Sequence, residues 1–160
     1  MKPAIKISLT QQTLELLQGG KLVRRYLISS ALNGAGEQYG SECTPRGKHI
    51  VRLKIGHGCP LNTVFIGRRP SGEIYSPELG AREPGRDWIL TRILWLHGRQ
   101  SGYNRGGQCD TLRRYVYIHG TPDSEVMGIP GSHGCIRMRN NDLLELFNLS
   151  YNNMQVDILE

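Results

Sequence analysis

IKISLTQQTLELLQGGKLVRRYLIS, residues 5–29, decides the fold class. Residues 5–9 and 13–17 have short strand character, and Gln18-Gly19-Gly20-Lys21 reads as a hairpin turn into Leu22–Ser29. The same grammar continues outward. Residues 51–55 alternate, with Val51, Leu53 and Ile55 on one face and Arg52 and Lys54 on the other. Trp88–Leu96 is a nearly continuous apolar run, interrupted only by Thr91 and Arg92, and its β-branched and aromatic content predicts a buried strand. Tyr115–His119 is a strand by composition that sends Val116 and Ile118 one way and Tyr115, Tyr117 and His119 the other, and Gln155–Leu159 closes the chain as a last strand. Gly67–Gly85 and Ser101–Gln108, rich in Gly and polar residues, read as loops. One helix is expected, capped by Asn140 or Asn141, with Asp142 at its positive end and an apolar stripe of Leu143, Leu144 and Phe147. Seven or so strands with one or two helices make a mainly β, sheet-on-sheet fold.

Composition agrees. The 160 residues suit one domain, taken as 1–160, and 20 glycines with 8 prolines favour turns over long helices. Apolar residues are 38% and charged residues 21%, which fits a folded globular chain rather than a disordered one. No apolar run approaches the roughly 20 residues of a membrane-spanning helix. The net charge is +6. Its basic residues occur at most as pairs (Arg24-Arg25, Arg68-Arg69, Arg113-Arg114), a solvated basic surface with none of the common nucleic-acid motifs. Neither a nucleic acid nor a membrane is an expected partner. The opening Met1–Ser8 carries Lys6 where a secretory leader needs about 7–15 uninterrupted apolar residues, so a cytoplasmic location is expected, or an envelope location if a leader has been removed. Cys43, Cys59, Cys109 and Cys135 form no CxxC pair, and free thiols are expected over two disulfides.

His-Gly-Cys occurs twice, at His57-Gly58-Cys59 and at His133-Gly134-Cys135. Cys59 precedes Pro60 with no polar constellation around it and reads as structural. Cys135 lies in Gly131-Ser132-His133-Gly134-Cys135-Ile136-Arg137-Met138, ahead of the expected helix, and His119-Gly120 ends a strand sixteen positions upstream. A free thiol has a pKa near 8.5, and an imidazole can take its proton to leave a thiolate paired with imidazolium. Gly134 removes a side chain beside the sulfur and lets backbone N–H groups approach an oxyanion. Against this stands the plain alternative of a buried small hydrophobe and a satisfied strand histidine, which holds for most Cys and His residues.

His119-Gly120 followed by Ser132-His133-Gly134-Cys135-Ile136-Arg137 resembles the catalytic signature of the L,D-transpeptidase (YkuD-like) family. Thr44-Pro45-Arg46-Gly47 is similar to the family's Thr-Pro-x-Gly element, and Ile5–Ser30 to its N-terminal hairpin, so the resemblance spans nearly the whole chain. Two departures stand out: His49 replaces a common aromatic residue, and the 67–114 region is longer than in a minimal family domain. The resemblance implies a β-sandwich-like fold and a Cys-His enzyme acting on peptidoglycan stem peptides or muropeptides, without a cofactor. Carried over, Cys135 is the nucleophile, His119 the general base and acid, and His133 a residue that orients or polarises the site. Gly134 and Cys135 N–H groups would form the oxyanion hole. Arg137 would hold the loop, pair with a substrate carboxylate, or serve only as an ion-pair partner. Ser132 suits a turn, and Tyr117 suits packing or the cleft wall. Carbapenem acylation is expected on the same ground.

In that family the cysteine attacks the bond between the L-centre of a meso-diamino acid and a terminal D-residue, usually D-Ala. Resolution by water makes an L,D-carboxypeptidase, and resolution by a second stem's amine makes a cross-linking transpeptidase. A cytoplasmic carboxypeptidase of cell-wall recycling is the expectation, with an envelope transpeptidase as runner-up. A zinc-binding protein, using ligands from among His57, Cys59, His97, Cys109, His119, His133 and Cys135, is the alternative of another class, and the irregular spacings disfavour it.

Overall fold

The computed structural model describes residues 2–160. Among them the chain forms β1 (Ala4–Ser8), β2 (Thr13–Gln18), β3 (Lys21–Ser29), β4 (Gly47–Ile55), β5 (Thr63–Ile66), β6 (Arg69–Ile74), α1 (Pro77–Arg82), β7 (Leu90–Gly98), β8 (Tyr117–Gly120), β9 (Ile136–Met138), α2 (Asn140–Leu149) and β10 (Gln155–Leu159). The mainly β expectation holds, with the β1–β2–β3 meander where residues 5–29 place it. No helix among the described residues is long and apolar enough to cross a membrane.

The strands run in the order β4-β10-β1-β2-β3-β9-β8-β7-β5-β6, and β4 also pairs with β7. The first eight strands of that order therefore close into a barrel-like ring, where the sequence suggested two sheets face to face. The closure rests on the length of β4. Its first half pairs antiparallel with β10, from Gly47↔Ile158 to Ile50↔Gln155, while its other edge runs along β7 from His49↔Gly98 to Ile55↔Ile93. Ring closure leaves those strands no free edge.

Alternate residues of the ring strands make one buried cluster that includes Ile5, Ile7, Leu14, Leu16, Leu94, Leu96, Ile118, Ile136, Val156 and Ile158. Helix α2 adds Leu143, Leu146 and Phe147 to it, each burial contributing roughly 1.5–3 kcal/mol. The sequence placed Leu144 on this stripe; it is only half-buried, and Leu146 takes its place. The cap differs too. Arg139 is the N-cap residue and makes no side-chain cap, while Asn140 is drawn into the core. There it accepts from Thr91 Oγ1 at 2.6 Å and donates to the Thr121 carbonyl at 2.9 Å. Gly120 permits this approach, because a Cβ there would lie 2.1 Å from Asn140 Oδ1.

Two further expectations give way. The alternation of 51–55 is broken by a bulge between Val51 and Leu53, so Val51 is buried and Leu53 is 40% exposed. Gly67–Gly85 is not a plain loop: it holds the end of the β5–β6 hairpin and α1, whose Ser76 side chain accepts the Leu79 N–H. The hairpin turn is Gly67-Arg68, both at positive φ (55° and 66°), the type I′ geometry that matches strand twist.

Candidate active site

Period-two alternation sorts β8 and β9. Ile118, Ile136 and Met138 join the barrel cluster, so Tyr117 and His119 on β8, and Cys135 and Arg137 on and beside β9, share the opposite face. The two strands run parallel, with Ile118 beside Ile136 and His119 beside Arg137. Cys135, one residue before Ile136, therefore falls next to Tyr117, whose backbone N–H donates to Cys135 Sγ at 3.3 Å. The thiol donates in turn to the Tyr115 carbonyl at 3.3 Å. Tyr115 sits at φ 56°, a left-handed conformation that turns this carbonyl toward the sulfur just before β8 begins.

Cys135 and His119 line one cavity of about 280 Å³, together with Tyr115, Tyr117, Ser132 and Arg137. His119 is buried, and its Nδ1 lies 2.7 Å from the Gly120 carbonyl. A carbonyl only accepts, so Nδ1 carries the proton and Nε2 of the neutral ring keeps its lone pair. Burial works against the expected thiolate–imidazolium pair. Desolvation pushes the Cys135 thiol up to about 12, outweighing the Tyr117 N–H that favours the thiolate, while burial pushes His119 below its ordinary value. Desolvation thus favours the neutral form of each group. The helix offers little correction, since β9 separates Cys135 from α2.

The loop before the sulfur is tightly braced. Ser132 Oγ donates to the Cys135 carbonyl and accepts the Gly134 N–H at 3.2 Å, so Ser132 holds a turn. That bond also engages the amide expected to line the oxyanion position, leaving Gly134 N–H turned toward Ser132 in this conformation. Gly134 lies at φ 134°, and a Cβ there would press on the Cys43 carbonyl at 3.3 Å. Thr44 Oγ1 donates to the Gly134 carbonyl at 2.9 Å and accepts the Ala31 N–H at 3.0 Å. The Thr-Pro-x-Gly element thus buttresses the Cys135 turn from a distant part of the chain.

Arg137 is mostly buried. It donates to the Gly131 carbonyl at 3.1 Å and to Asp87 at 3.2 Å, with Glu125 at 3.8 Å, so of the roles open to it, the structure shows loop-holding and ion pairing. His133 is exposed, 3.8 Å from Glu42, and lines the same cavity from its solvent side. Tyr117 is buried, and its hydroxyl accepts from Arg68 Nη1 at 3.0 Å.

The second His-Gly-Cys does not line this cavity. His57 is exposed, and Cys59 packs against the cluster of Phe65, Ile93 and Tyr117. All four cysteines are free, and no group of three or more His, Cys, Asp or Glu side chains able to hold a metal occurs among the described residues. Arg68, Asp87, Ile89 and Arg114 line the cavity without having been singled out in the sequence. Only Arg68 carried a signal, a Gly67-Arg68 turn between the β-forming Thr63–Ile66 and Arg69–Ile74.

The family model YkuD, described as L,D-transpeptidase catalytic domain, matches residues 2–158. No curated protein sequence matches. Solved structures do. An L,D-transpeptidase from Mycobacterium smegmatis aligns with TM-score 0.58 and 16% identity over 99% of this chain and 59% of its own. L,D-transpeptidase 3 from Mycobacterium tuberculosis, in complex with a faropenem-derived adduct, aligns with TM-score 0.58 and 18% identity over 99% and 61%. A further L,D-transpeptidase, in complex with imipenem, aligns with TM-score 0.56 and 16% identity over 98% and 59%. At such identities the likeness establishes the fold, and this chain spans about three-fifths of the length of those proteins.

Proposed function

The chain belongs to the L,D-transpeptidase catalytic domain family, and from that premise we propose that it is a cysteine-dependent L,D-carboxypeptidase that removes the terminal D-Ala from tetrapeptide stems of peptidoglycan. Family membership supports peptidoglycan-related acyl transfer in general. The observation that carries the assignment of roles is the one cavity lined by both Cys135 and a His119 whose Nε2 is left unprotonated by the Nδ1–Gly120 bond.

Catalysis starts from the neutral pair. The thiol turns from the Tyr115 carbonyl toward His119 Nε2, which takes its proton as Cys135 Sγ bonds to the carbonyl carbon of the L-centre. The backbone N–H of Tyr117, already on the sulfur, supports the negative charge that the sulfur gathers as its proton leaves. Collapse of the tetrahedral adduct breaks the C–N bond. His119 returns the proton to the departing D-Ala nitrogen, leaving a Cys135 thioester. Water then gives a proton to Nε2 as its oxygen attacks the thioester, and the thiol leaves reprotonated, releasing a tripeptide. Keeping both groups neutral between turnovers matches general-base activation, in which charge appears only as bonds change.

The preference for hydrolysis over cross-linking is supported by the segments that line the cavity. Arg68 from the β5–β6 turn, and Asp87 and Ile89 before β7, all come from the extended 67–114 region. A transpeptidase must seat a second stem beside the thioester, and a crowded approach leaves water as the readier acceptor. Wall recycling, where soluble stems are trimmed, is the setting proposed. One observation favours the transpeptidase instead: a polar groove of about 390 Å³ shares Asp87, His133 and Arg137 with the cavity and could seat an acceptor. Product analysis separates the two. A tetrapeptide stem supplied with a second stem should yield tripeptide and free D-Ala in excess. Cross-linked dimer as the main product would overturn the carboxypeptidase assignment. Carbapenem acylation at Cys135, seen as a mass increase on the peptide holding it, is expected for either.

A further inference from the structure

Three arginines line the Cys135 cavity, and their circumstances differ. Arg137 is committed to Asp87, Glu125 and the Gly131 carbonyl. Arg114 spreads its donors over the Gly36 and Cys43 carbonyls and Ser41 Oγ. Arg68 makes one side-chain hydrogen bond, to the Tyr117 hydroxyl, and no carboxylate among the described residues lies within ion-pair distance of it.

Arg68 is nevertheless held in place. Its guanidinium carbon lies 4.9 Å from the centre of the Trp95 ring and 4.8 Å from that of Tyr115. Two aromatic contacts and a phenol position the group without neutralising it. A guanidinium has five N–H donors in a planar fork, and here one is used within the protein. The backbone carries a cost for this placement, since Arg68 stands at φ 66° in a turn position that favours Gly or Asn. A flexible side chain ordered by rings, on a strained residue, without a counter-ion and lining the cavity that holds the sulfur, is a carboxylate receptor in waiting.

We propose that Arg68 binds the free C-terminal carboxylate of the D-residue that leaves, and so restricts the site to stems ending at that residue. This rests on the carboxypeptidase assignment above and deepens it. The terminal carboxylate is bonded to the Cα of the leaving amine, so it must lie within a few ångströms of the carbonyl that Cys135 attacks, inside the same cavity. The diamino acid's own side-chain carboxylate offers the same chemistry from several bonds further away.

Binding can be read apart from turnover. Calorimetry with the Cys135→Ala protein would compare three ligands: the tetrapeptide free acid, its C-terminal carboxamide, and a tetrapeptide with lysine in place of the diamino acid. A charge-assisted bidentate contact predicts free acid binding tens- to roughly a hundredfold tighter than carboxamide. The lysine stem should keep most of that affinity. Adding Arg68→Gln should collapse the acid-to-amide ratio to near one while carboxamide affinity changes little, and Arg68→Lys should restore part of the ratio. Equal affinity for acid and carboxamide in the Arg68-containing protein, or no binding of the acid, overturns the proposal. Loss of affinity confined to the lysine stem overturns it too, by assigning Arg68 to the other carboxylate. The carboxypeptidase assignment fails separately, when the unsubstituted enzyme releases no D-Ala.

Discussion

His49 is the residue through which this fold should feel acid most directly. It is fully buried on β4, with Nδ1 3.0 Å from the Gly47 carbonyl and Nε2 2.9 Å from Thr111 Oγ1. Nδ1 therefore donates, and in the neutral ring, which burial favours, Nε2 accepts the Thr111 hydroxyl. Burial pushes His49 from 6.5 down to about 4. In the unfolded chain the ring binds a proton near pH 6.5 and in the fold it resists until about pH 4, so its contribution is intact above 6.5 and is lost as pH falls between those values. Integrated over that window, the loss is about 2 kcal/mol by pH 5 and about 3 kcal/mol by pH 4. The perturbation is His49→Gln, which keeps a polar side chain and removes the titration. Urea unfolding followed by Trp88 and Trp95 fluorescence at pH 7 and pH 5 gives the two stabilities for each protein. The substitution lowers stability at pH 7, because two fitted hydrogen bonds are disturbed, but it should shrink the difference between the two pH values by about 2 kcal/mol. His119 and His97, also lowered by burial, remain in both proteins and cancel in the comparison. An unchanged pH 7-to-5 loss in the variant would refute the neutral-ring account.

Replacing Cys135 with alanine should reduce turnover by roughly 10³-fold or more, while Cys59→Ala keeps most of it, as D-Ala release would report. The kcat/KM profile should fall on the acid side below pH 6.5, as the lowered His119 imidazole takes a proton, and show no basic limb up to about pH 10, because the thiol is pushed up to about 12. A narrow bell centred near neutrality would instead signal a preformed ion pair. Thr44→Val should cost about 1–3 kcal/mol for each of the two backbone groups left unpartnered, at Ala31 and Gly134, and lower kcat more than tenfold by loosening the Cys135 turn. Thr44→Ser should recover most of both, measured by chemical unfolding and by steady-state rate.

Local pattern determined much of this protein. Residues 5–29 spell out their own meander, because strand alternation and a Gly-Gly turn are short-range properties. Alternation along 115–119 already separates Val116 and Ile118 from Tyr117 and His119, and the glycine-flanked Cys135 stands out for its chemistry. Tertiary structure decided what depends on partners remote in sequence. Ring closure needs β4 to find β7 and β10 at once, which no single strand's composition encodes. The bulge at 51–53 and the withdrawal of Asn140 into the core answer to neighbours across the sheet. Thr44 meets Gly134, and Arg68 meets Trp95, Tyr115 and Tyr117, only once the chain is wound. The charge state of the site belongs to the same class. A sequence names a thiol and an imidazole, but the desolvation that favours their neutral forms is a property of the folded cavity.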